Sequence, residues 1–450
     1  MKDFTLAEIA KACNGEYVGD ESLKNTKITS VERDSRQVKD GSLFLAIKGE
    51  RVDGHNFIEK CFAQGAVCAL CEKAPENATK PCIVVPSTLD AVKKIGRAYR
   101  EKFDIPVIGI SGSVGKTSTK EMLYAVLSQK FKTHKTQGNL NNELGVPLTL
   151  LSIPEDTEAA VIEMGISDFG EMTRLSEMVQ PTICVLTIIG ECHLENLGDR
   201  DGVLKAKTEM FKNARENADF ILNGDDDKLS TVKTVNGKKP VFFGLDAKND
   251  FYAKNIKNSG DGKVLATLCF DNNNIDVEIP AIGTYMVTNA LAAAAAGKLL
   301  GLTDEEIANG VASYKTVGSR ANVINTGKIK IIDDCYNANP TSVRASLDTL
   351  SNLDGRKVAI LGDMKELGSE ELKLHFDTGV YAKSKGIGTV ITVGELAKEL
   401  AKGADGKAFD TIEDAKPEIL KTIKSGDVVL VKASHSMQFE NIVEFLKQNF

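Results

Sequence analysis

The sequence predicts an α/β protein built on parallel sheets and divided into three domains. Short apolar runs recur along the chain, as strands buried on both faces do, and amphipathic stretches of helical length separate them. At 450 residues the chain is longer than one ordinary core supports. The rhythm of strand and helix also restarts twice, near residue 101 and again after VGSR at 317–320.

In the first block, residues 1–100, SLFLAIKG, GAVCALCE and CIVVPS alternate with polar turns, and the block closes on a helix near LDAVKKIGRAYREKF. This reads as a small α/β unit. The second block, 101–318, opens at DIPVIGISG; PVIGIS, AAVIEMG, TICVLTIIG and ADFILNG are its strands, and ALAAAAAGKLLG (290–301) is a helix rich in alanine and closed by glycine. The third block, 319–450, repeats the pattern with KIKIIDD, KVAILGD, TVITVG and DVVLVKAS, spaced by segments such as SVRASLDTLSNL, and is expected to be Rossmann-like.

Composition narrows the function. Hydrophobic residues make up 42% and charged residues 26%, which is ordinary for buried cores. The net charge is −7 and Lys and Arg nowhere cluster densely, which argues against non-specific nucleic-acid binding. No apolar run approaches the roughly 18 residues of a membrane span, and MKDFTLAEIAKAC lacks a signal-peptide core, so a cytoplasmic protein, monomeric, is expected. Nine cysteines are scattered along the chain; Cys68 and Cys71 have CxxC spacing, but no second pair or nearby histidine completes a zinc set, and buried thiols are the reading preferred.

The stretch with chemistry is GISGSVGKTSTKE, 109–121. A phosphate loop ordinarily reads G-x-x-x-x-G-K-S/T. Here Gly115, Lys116 and Thr117 supply its end, but its first glycine would fall on Ile110 and appears instead at Gly112. The physical requirements survive. A strand leads in, two glycines permit a tight turn, and KEMLYAVLSQKF follows as a helix with Leu123, Leu127 and Phe131 on one face. The turn aims free backbone N–H groups and the positive helix end at phosphate. Gly112, Ser113, Val114, Gly115, Lys116, Thr117 and Ser118 are therefore expected to bind ATP, with Lys116 balancing phosphate charge and the Thr117 hydroxyl on Mg²⁺. A motor, a switch, a kinase or a ligase could all carry such a loop.

The shortened loop GSVGKTS resembles that of the Mur ligases, the ATP-dependent amide-forming enzymes of peptidoglycan assembly, and of their folylpolyglutamate synthetase relatives. TQGNLNNELGVPLTLL (136–151), EMGISDFGEM (163–172), GECHLENLG (190–198), KAKTEMF (205–211), DDCYNANPTSVRASL (333–347), GDMKELG (362–368) and VLVKASHSM (429–437) extend the resemblance through all three blocks. YNANP and GDMKELG resemble the branch that adds D-alanyl-D-alanine to a UDP-N-acetylmuramoyl-tripeptide. DSRQVKDGSLFLAIKGERVDGHNF (34–57) resembles the domain holding the UDP-sugar end, and implies substrate contacts at Ser35, Arg36, Asp53 and His55.

The resemblance also implies a chemistry. A carboxylate attacks the γ-phosphate of ATP, and the dipeptide amine then displaces phosphate from the acyl phosphate. Two Mg²⁺ are implied, with Glu163 and His193 as ligands and Lys207 carbamylated so that a former cation holds the second metal. Asn289 reads the adenine edge, Arg320 reaches the γ-phosphate from the C-terminal domain, and Asp334 and Asn337 touch the nucleotide. Asn139 and Asn142 contact phosphate or the substrate carboxylate. Read from the residues alone, Glu163 is a surface carboxylate at a strand end, Lys207 a solvated helix-face lysine, Asn289 a helix-start cap, and N-A-N-P a turn. If Arg320 and Asp334 complete a site begun by Lys116, open and closed domain arrangements follow.

Three positions depart from the family pattern. Ile188 in TIIG stands where an asparagine is usual, Tyr285 in GTYM where a histidine is, and His435 in KASH where an arginine is. The alternatives left standing are a sister ligase adding another amino acid, a phosphate-loop ATPase without an amine acceptor, and a binding protein that has lost activity.

Overall fold

A computed structural model describes residues 1–259, 262–271 and 273–450. The first sheet contains β1 (Glu16–Val18), β2 (Ser30–Glu32), β3 (Ser42–Leu45), β4 (Cys68–Cys71) and β5 (Cys82–Val84) in the order β1-β5-β4-β3-β2, parallel except for β1. The second contains β6 (Val107–Ser111), β7 (Thr133–Lys135), β8 (Ala159–Glu163), β9 (Ile183–Leu186), β10 (Asp219–Asn223) and β11 (Val241–Phe243) in the order β11-β10-β9-β6-β8-β7, parallel throughout.

After it comes a three-stranded antiparallel sheet of β12 (Tyr252–Asn258), β13 (Val264–Phe270) and β14 (Asn273–Ile279). The last sheet has β15 (Asn322–Asn325), β16 (Lys330–Asp333), β17 (Arg356–Gly362), β18 (Thr389–Val393), β19 (Lys407–Phe409) and β20 (Asp427–Lys432) in the order β15-β16-β20-β17-β18-β19, with only β15 antiparallel. The α/β class with parallel sheets is as expected.

Every residue of β6, β8, β9 and β20 is buried, because helices cover both faces of these sheets. The helix Tyr285–Leu299 packs against the helix Lys116–Leu127. Its buried run Ala290–Ala296 and Gly297 let the two backbones approach closely, and on the following helix, Asp304–Ala312, a Cβ at Gly310 would collide with the Val126 backbone. All nine cysteines are buried and unpaired.

Two local expectations need correction. The phosphate-loop helix ends at Leu127, so only Leu123 and Leu127 of the expected stripe lie on it, both fully buried; Phe131 lies past the Ser128 cap, where the chain is already turning toward β7, and packs half-buried against the same core. Asn289 is not at a helix start: the helix begins at Tyr285, and Asn289 sits a turn inside it, 6% exposed.

Candidate active site

Three strand ends meet at the middle of the central sheet. β6 lies between β8 and β9, so the chain leaving Ser111, Glu163 and Leu186 opens onto one crevice at the carboxyl edge, the usual ligand position in such sheets. The turn out of β6 needs its glycines. Gly112 has φ 150° and a Cβ there would collide with the Thr187 hydroxyl; Gly115 has φ 84° and starts the helix Lys116–Leu127. The result is a helix N-terminus facing a pocket of about 530 Å³.

The pocket wall carries Ser113 through Ser118, Asn139, Asn142, Glu163, His193 and Asn289 from the central domain, and Arg320, Asp334 and Asn337 from the C-terminal sheet's side. Lys116 Nζ donates to its own loop at Gly112 O, 2.9 Å. Glu163 is not the surface carboxylate that the residues alone suggest. It is 1% exposed, accepts from Thr117 Oγ1 at 3.0 and 3.1 Å and from Asn141 Nδ2 at 2.8 Å, and lies 3.5 Å from the buried Lys120 ammonium. The Asn289 carbonyl accepts from Thr119 Oγ1 at 3.0 Å, which fixes the orientation of its amide.

On the C-terminal side, Asp334 accepts from Lys432 Nζ and from Ser346 Oγ, both at 2.6 Å, and from Ala321 N at 3.1 Å. Lys432 also donates to Asn337 O at 3.0 Å. The Arg320 guanidinium lies 3.7 Å over the Tyr336 ring, and His435 stacks on that ring with centroids 5.8 Å apart. His435 thus replaces a charged fork by a ring contact. Tyr285 and Ile188, the other two departures, also line the pocket.

Lys207 overturns its solvated reading. It is 1% exposed, and no hydrogen bond or ion pair among the described residues reaches its ammonium. Burial pushes its pKa down to about 8. It is not among the residues that line the pocket. His193 has Nδ1 2.6 Å from Glu366 Oε2 of GDMKELG, and that contact holds the Glu366 carboxyl below its ordinary range.

These residues fit a nucleotide-bound Mg²⁺. A hydroxyl and a buried carboxylate meet beside the phosphate loop, and Mg²⁺ takes one or two such ligands together with phosphate oxygens and water. Among the described residues no group of three or more His, Cys, Asp or Glu side chains is arranged to hold a metal by itself.

The first-domain residues lie apart from this pocket. Arg36 pairs with Asp34 through Nε at 2.9 Å and Nη2 at 2.6 Å, and Ser35 lies between them on the loop after β2. Asp53 caps the turn at 54–57 after β3 and accepts from His55; His55 Nε2 accepts from Glu72 N at 2.9 Å, so both ring nitrogens are engaged. Sequence reasoning missed Asn141, Lys120 and Tyr336. The NLNN run placed Asn141 beside two residues it did select, but only the fold turns the middle side chain onto Glu163.

Three family models match the chain: the Mur ligase family catalytic domain over 27–101, the Mur ligase middle domain over 110–297, and the Mur ligase glutamate ligase domain over 319–435. The UDP-N-acetylmuramoyl-tripeptide--D-alanyl-D-alanine ligase of Bacillus subtilis is 36% identical, with 98% of each chain covered. The chain belongs to the Mur ligase family. The Escherichia coli protein of the same name is 34% identical over 100% of this chain and 99% of its own. Among solved structures, a Mur ligase described as MurF from Acinetobacter baumannii superposes with a TM-score of 0.92 at 33% identity, covering 100% of this chain and 99% of that one. A MurF ligase from Thermotoga maritima in complex with ADP gives 0.84 at 30% identity, over 93% and 97%. This Mur ligase therefore shares chain length and domain order with those relatives, not merely a nucleotide-binding core.

Proposed function

We propose that the protein is an ATP-dependent amide ligase that adds D-alanyl-D-alanine to a UDP-N-acetylmuramoyl-tripeptide, with release of ADP and phosphate, in peptidoglycan precursor synthesis. The observation that carries this reading is the single pocket in which the phosphate loop and Glu163 face Arg320, Asp334 and Asn337. A cleft between a phosphate-binding turn and a second domain suits a reaction that must activate a carboxylate and shield the product from water.

In the proposed sequence the tripeptide's terminal carboxylate attacks the γ-phosphorus of ATP, forming an acyl phosphate and ADP. The dipeptide amine attacks the acyl carbon, and phosphate leaves with the oxygen it received. Lys116 and the loop N–H groups offset the charge of two anions brought together. Thr117 and Glu163 would hold a Mg²⁺ that neutralises phosphate oxygens, and His193 a second. Arg320 is assigned to the γ-phosphate, Asn289 to the adenine edge, and Asp334 and Asn337 to other contacts with the nucleotide. Asn139 and Asn142 face phosphate or the substrate carboxylate. The UDP end is assigned to residues 1–100 (Ser35, Arg36, Asp53, His55), the nucleotide to 101–318, and closure and the dipeptide to 319–450. Both substrates are soluble, which fits an enzyme acting in the cytoplasm, here taken to be a monomer; no helix among the described residues is long and apolar enough to cross a membrane.

Lys207 is proposed to carry a carbamate. As an ammonium it repels a metal, but a buried amine with a pKa near 8 is partly neutral at physiological pH and adds to CO₂, losing one proton and becoming an anion. A carbamate resonance from ¹³C-bicarbonate, absent in Lys207→Ala, is expected; no such resonance in the wild type overturns the assignment. The ligase reading is tested by ADP release with D-alanyl-D-alanine against meso-diaminopimelate, lysine and glutamate as amine. The dipeptide alone should support turnover, and equal turnover with a single amino acid would favour a sister ligase.

A further inference from the structure

The loop that carries His193 is held from both sides. Toward the phosphate loop, the Ser113 hydroxyl donates to Gly190 O at 3.2 Å and accepts from Gly190 N at 2.9 Å, and Cys192 Sγ lies 3.0 Å from the same oxygen. Toward the C-terminal domain, Glu191 accepts from Thr341 Oγ1 at 2.5 Å and lies 3.6 Å from the Arg344 guanidinium. Gly190 leaves no room for a Cβ beside Thr341, and Gly368 sits against the backbone of Glu195. Between these anchors, His193 Nδ1 lies 2.6 Å from Glu366 Oε2, within ion-pair range but out of line for a hydrogen bond, and no other group among the described residues accepts from or donates to this nitrogen.

Two features say that this last contact is more than packing. Both partners are non-glycine residues at positive φ, 51° for His193 and 64° for Glu366, a backbone state that side chains with a Cβ adopt only where the surroundings impose it. The Glu366 side chain is also 56% exposed, and ion pairs that wet contribute little to stability. Two unfavourable backbone conformations thus meet at a contact with little stabilising value, across the boundary between two domains, although His193 also caps the helix Leu194–Leu197 and Glu366 O also accepts from Glu195 N. What the contact does supply is direction. A carboxylate beside one imidazole nitrogen favours one tautomer and, once aligned, sets the ring plane, and ligating histidines are commonly held in this way.

We infer that Glu366 is a positioning residue for the ligase reaction: docking of the C-terminal domain sets its carboxylate on His193 Nδ1, leaving Nε2 as the ligating nitrogen, so that domain closure and completion of the metal site are one event. The inference rests on the reading of His193 as a Mg²⁺ ligand. Glu191, Thr341 and Arg344 hold the two loops in register, and Ser113 ties the same loop to the phosphate loop.

The test uses the full-length protein with a non-hydrolysable ATP analogue and Mn²⁺, whose binding is read by electron paramagnetic resonance, alongside steady-state ADP release. Glu366→Ala should weaken Mn²⁺ binding and lower kcat by about 10- to 100-fold, the range seen when such orienting partners are removed. Glu366→Gln, which keeps an oxygen to accept from Nδ1–H, should stay within about threefold of wild type on the same argument. Combining Glu366→Ala with His193→Ala should be no worse than His193→Ala alone, since Glu366 acts through that ring. Additive losses in the double variant, or wild-type Mn²⁺ binding by Glu366→Ala, overturn the inference while leaving the ligase reading intact. Wild-type Mn²⁺ binding by His193→Ala overturns the ligand assignment and the inference with it.

Discussion

Replacing Gly112 by alanine strikes the phosphate loop at two points. The φ of 150° at this position lies in a region essentially reserved for glycine, and holding another residue there costs about 1–3 kcal/mol. The new Cβ also lands on the Thr187 hydroxyl, which donates to Val114 O at 2.6 Å. Displacing that hydroxyl gives up a hydrogen bond worth about 1 kcal/mol. The native loop shape is then disfavoured by about 2–4 kcal/mol, and the fraction of molecules able to take up phosphate falls by about 30- to 1000-fold. Calorimetric titration with a non-hydrolysable ATP analogue should show a Kd weakened by about 30-fold or more. Thr187→Ala alone should cost less than tenfold, and the double variant, relieved of the overlap but not of the backbone strain, should lie between. Binding by Gly112→Ala within threefold of wild type would refute the reasoning.

Other outcomes follow from the same geometry. Glu163→Gln keeps the shape of the Thr117 and Asn141 contacts but removes the buried charge, so ADP release should fall by about 100-fold or more with little change in melting temperature; activity within fivefold of wild type would contradict its metal role. Lys432→Met leaves the Asp334 carboxylate with only Ser346 and Ala321 as donors and no countercharge, a loss below the roughly 3–5 kcal/mol of a fully buried broken pair; a lowered melting temperature and a raised KM for ATP are expected. His375 is fully buried, donates from Nδ1 to Glu371 O and accepts at Nε2 from Met364 N, and its burial holds its pKa below the ordinary 6.5. The unfolded chain therefore binds the extra proton first, so stability falls as pH drops below about 6.5. His134, shifted in the same direction, adds to the slope. Urea titrations at pH 7.5 and 5.5 should show the loss, and His375→Gln should reduce the pH dependence; an unchanged slope would contradict it.

Much of the fold was legible because buried parallel strands announce themselves as apolar runs: PVIGIS, AAVIE and DVVLVK are β6, β8 and β20. The antiparallel sheet went unread although β14 alternates, with Ile275, Val277 and Ile279 buried and Asp276 and Glu278 exposed; its strands lie between stronger α/β signals. In the site, the phosphate loop was readable because its requirements are local: two glycines, a lysine and a helix start. Lys207 was not, because a lysine on a short helix looks the same whether that face meets water or the protein interior. Asn141 needed the packing of Gly165 against its amide to show which of three neighbouring asparagines turns toward Glu163. The His193–Glu366 contact joins residues 173 positions apart by the numbering itself, and no spacing rule reaches that far.

The central claim is that one pocket activates a carboxylate with ATP and hands it to a dipeptide. It is tested most directly by incubating the purified protein with ATP, Mg²⁺, D-alanyl-D-alanine and a UDP-N-acetylmuramoyl-tripeptide, lysine- and diaminopimelate-containing forms being run separately. Mass spectrometry of the product is then set against phosphate release. The account predicts pentapeptide and phosphate in equal amounts with one of the two forms, and no sustained release when the dipeptide is withheld. Phosphate released at the same rate without the dipeptide, or no pentapeptide with either form, would contradict it.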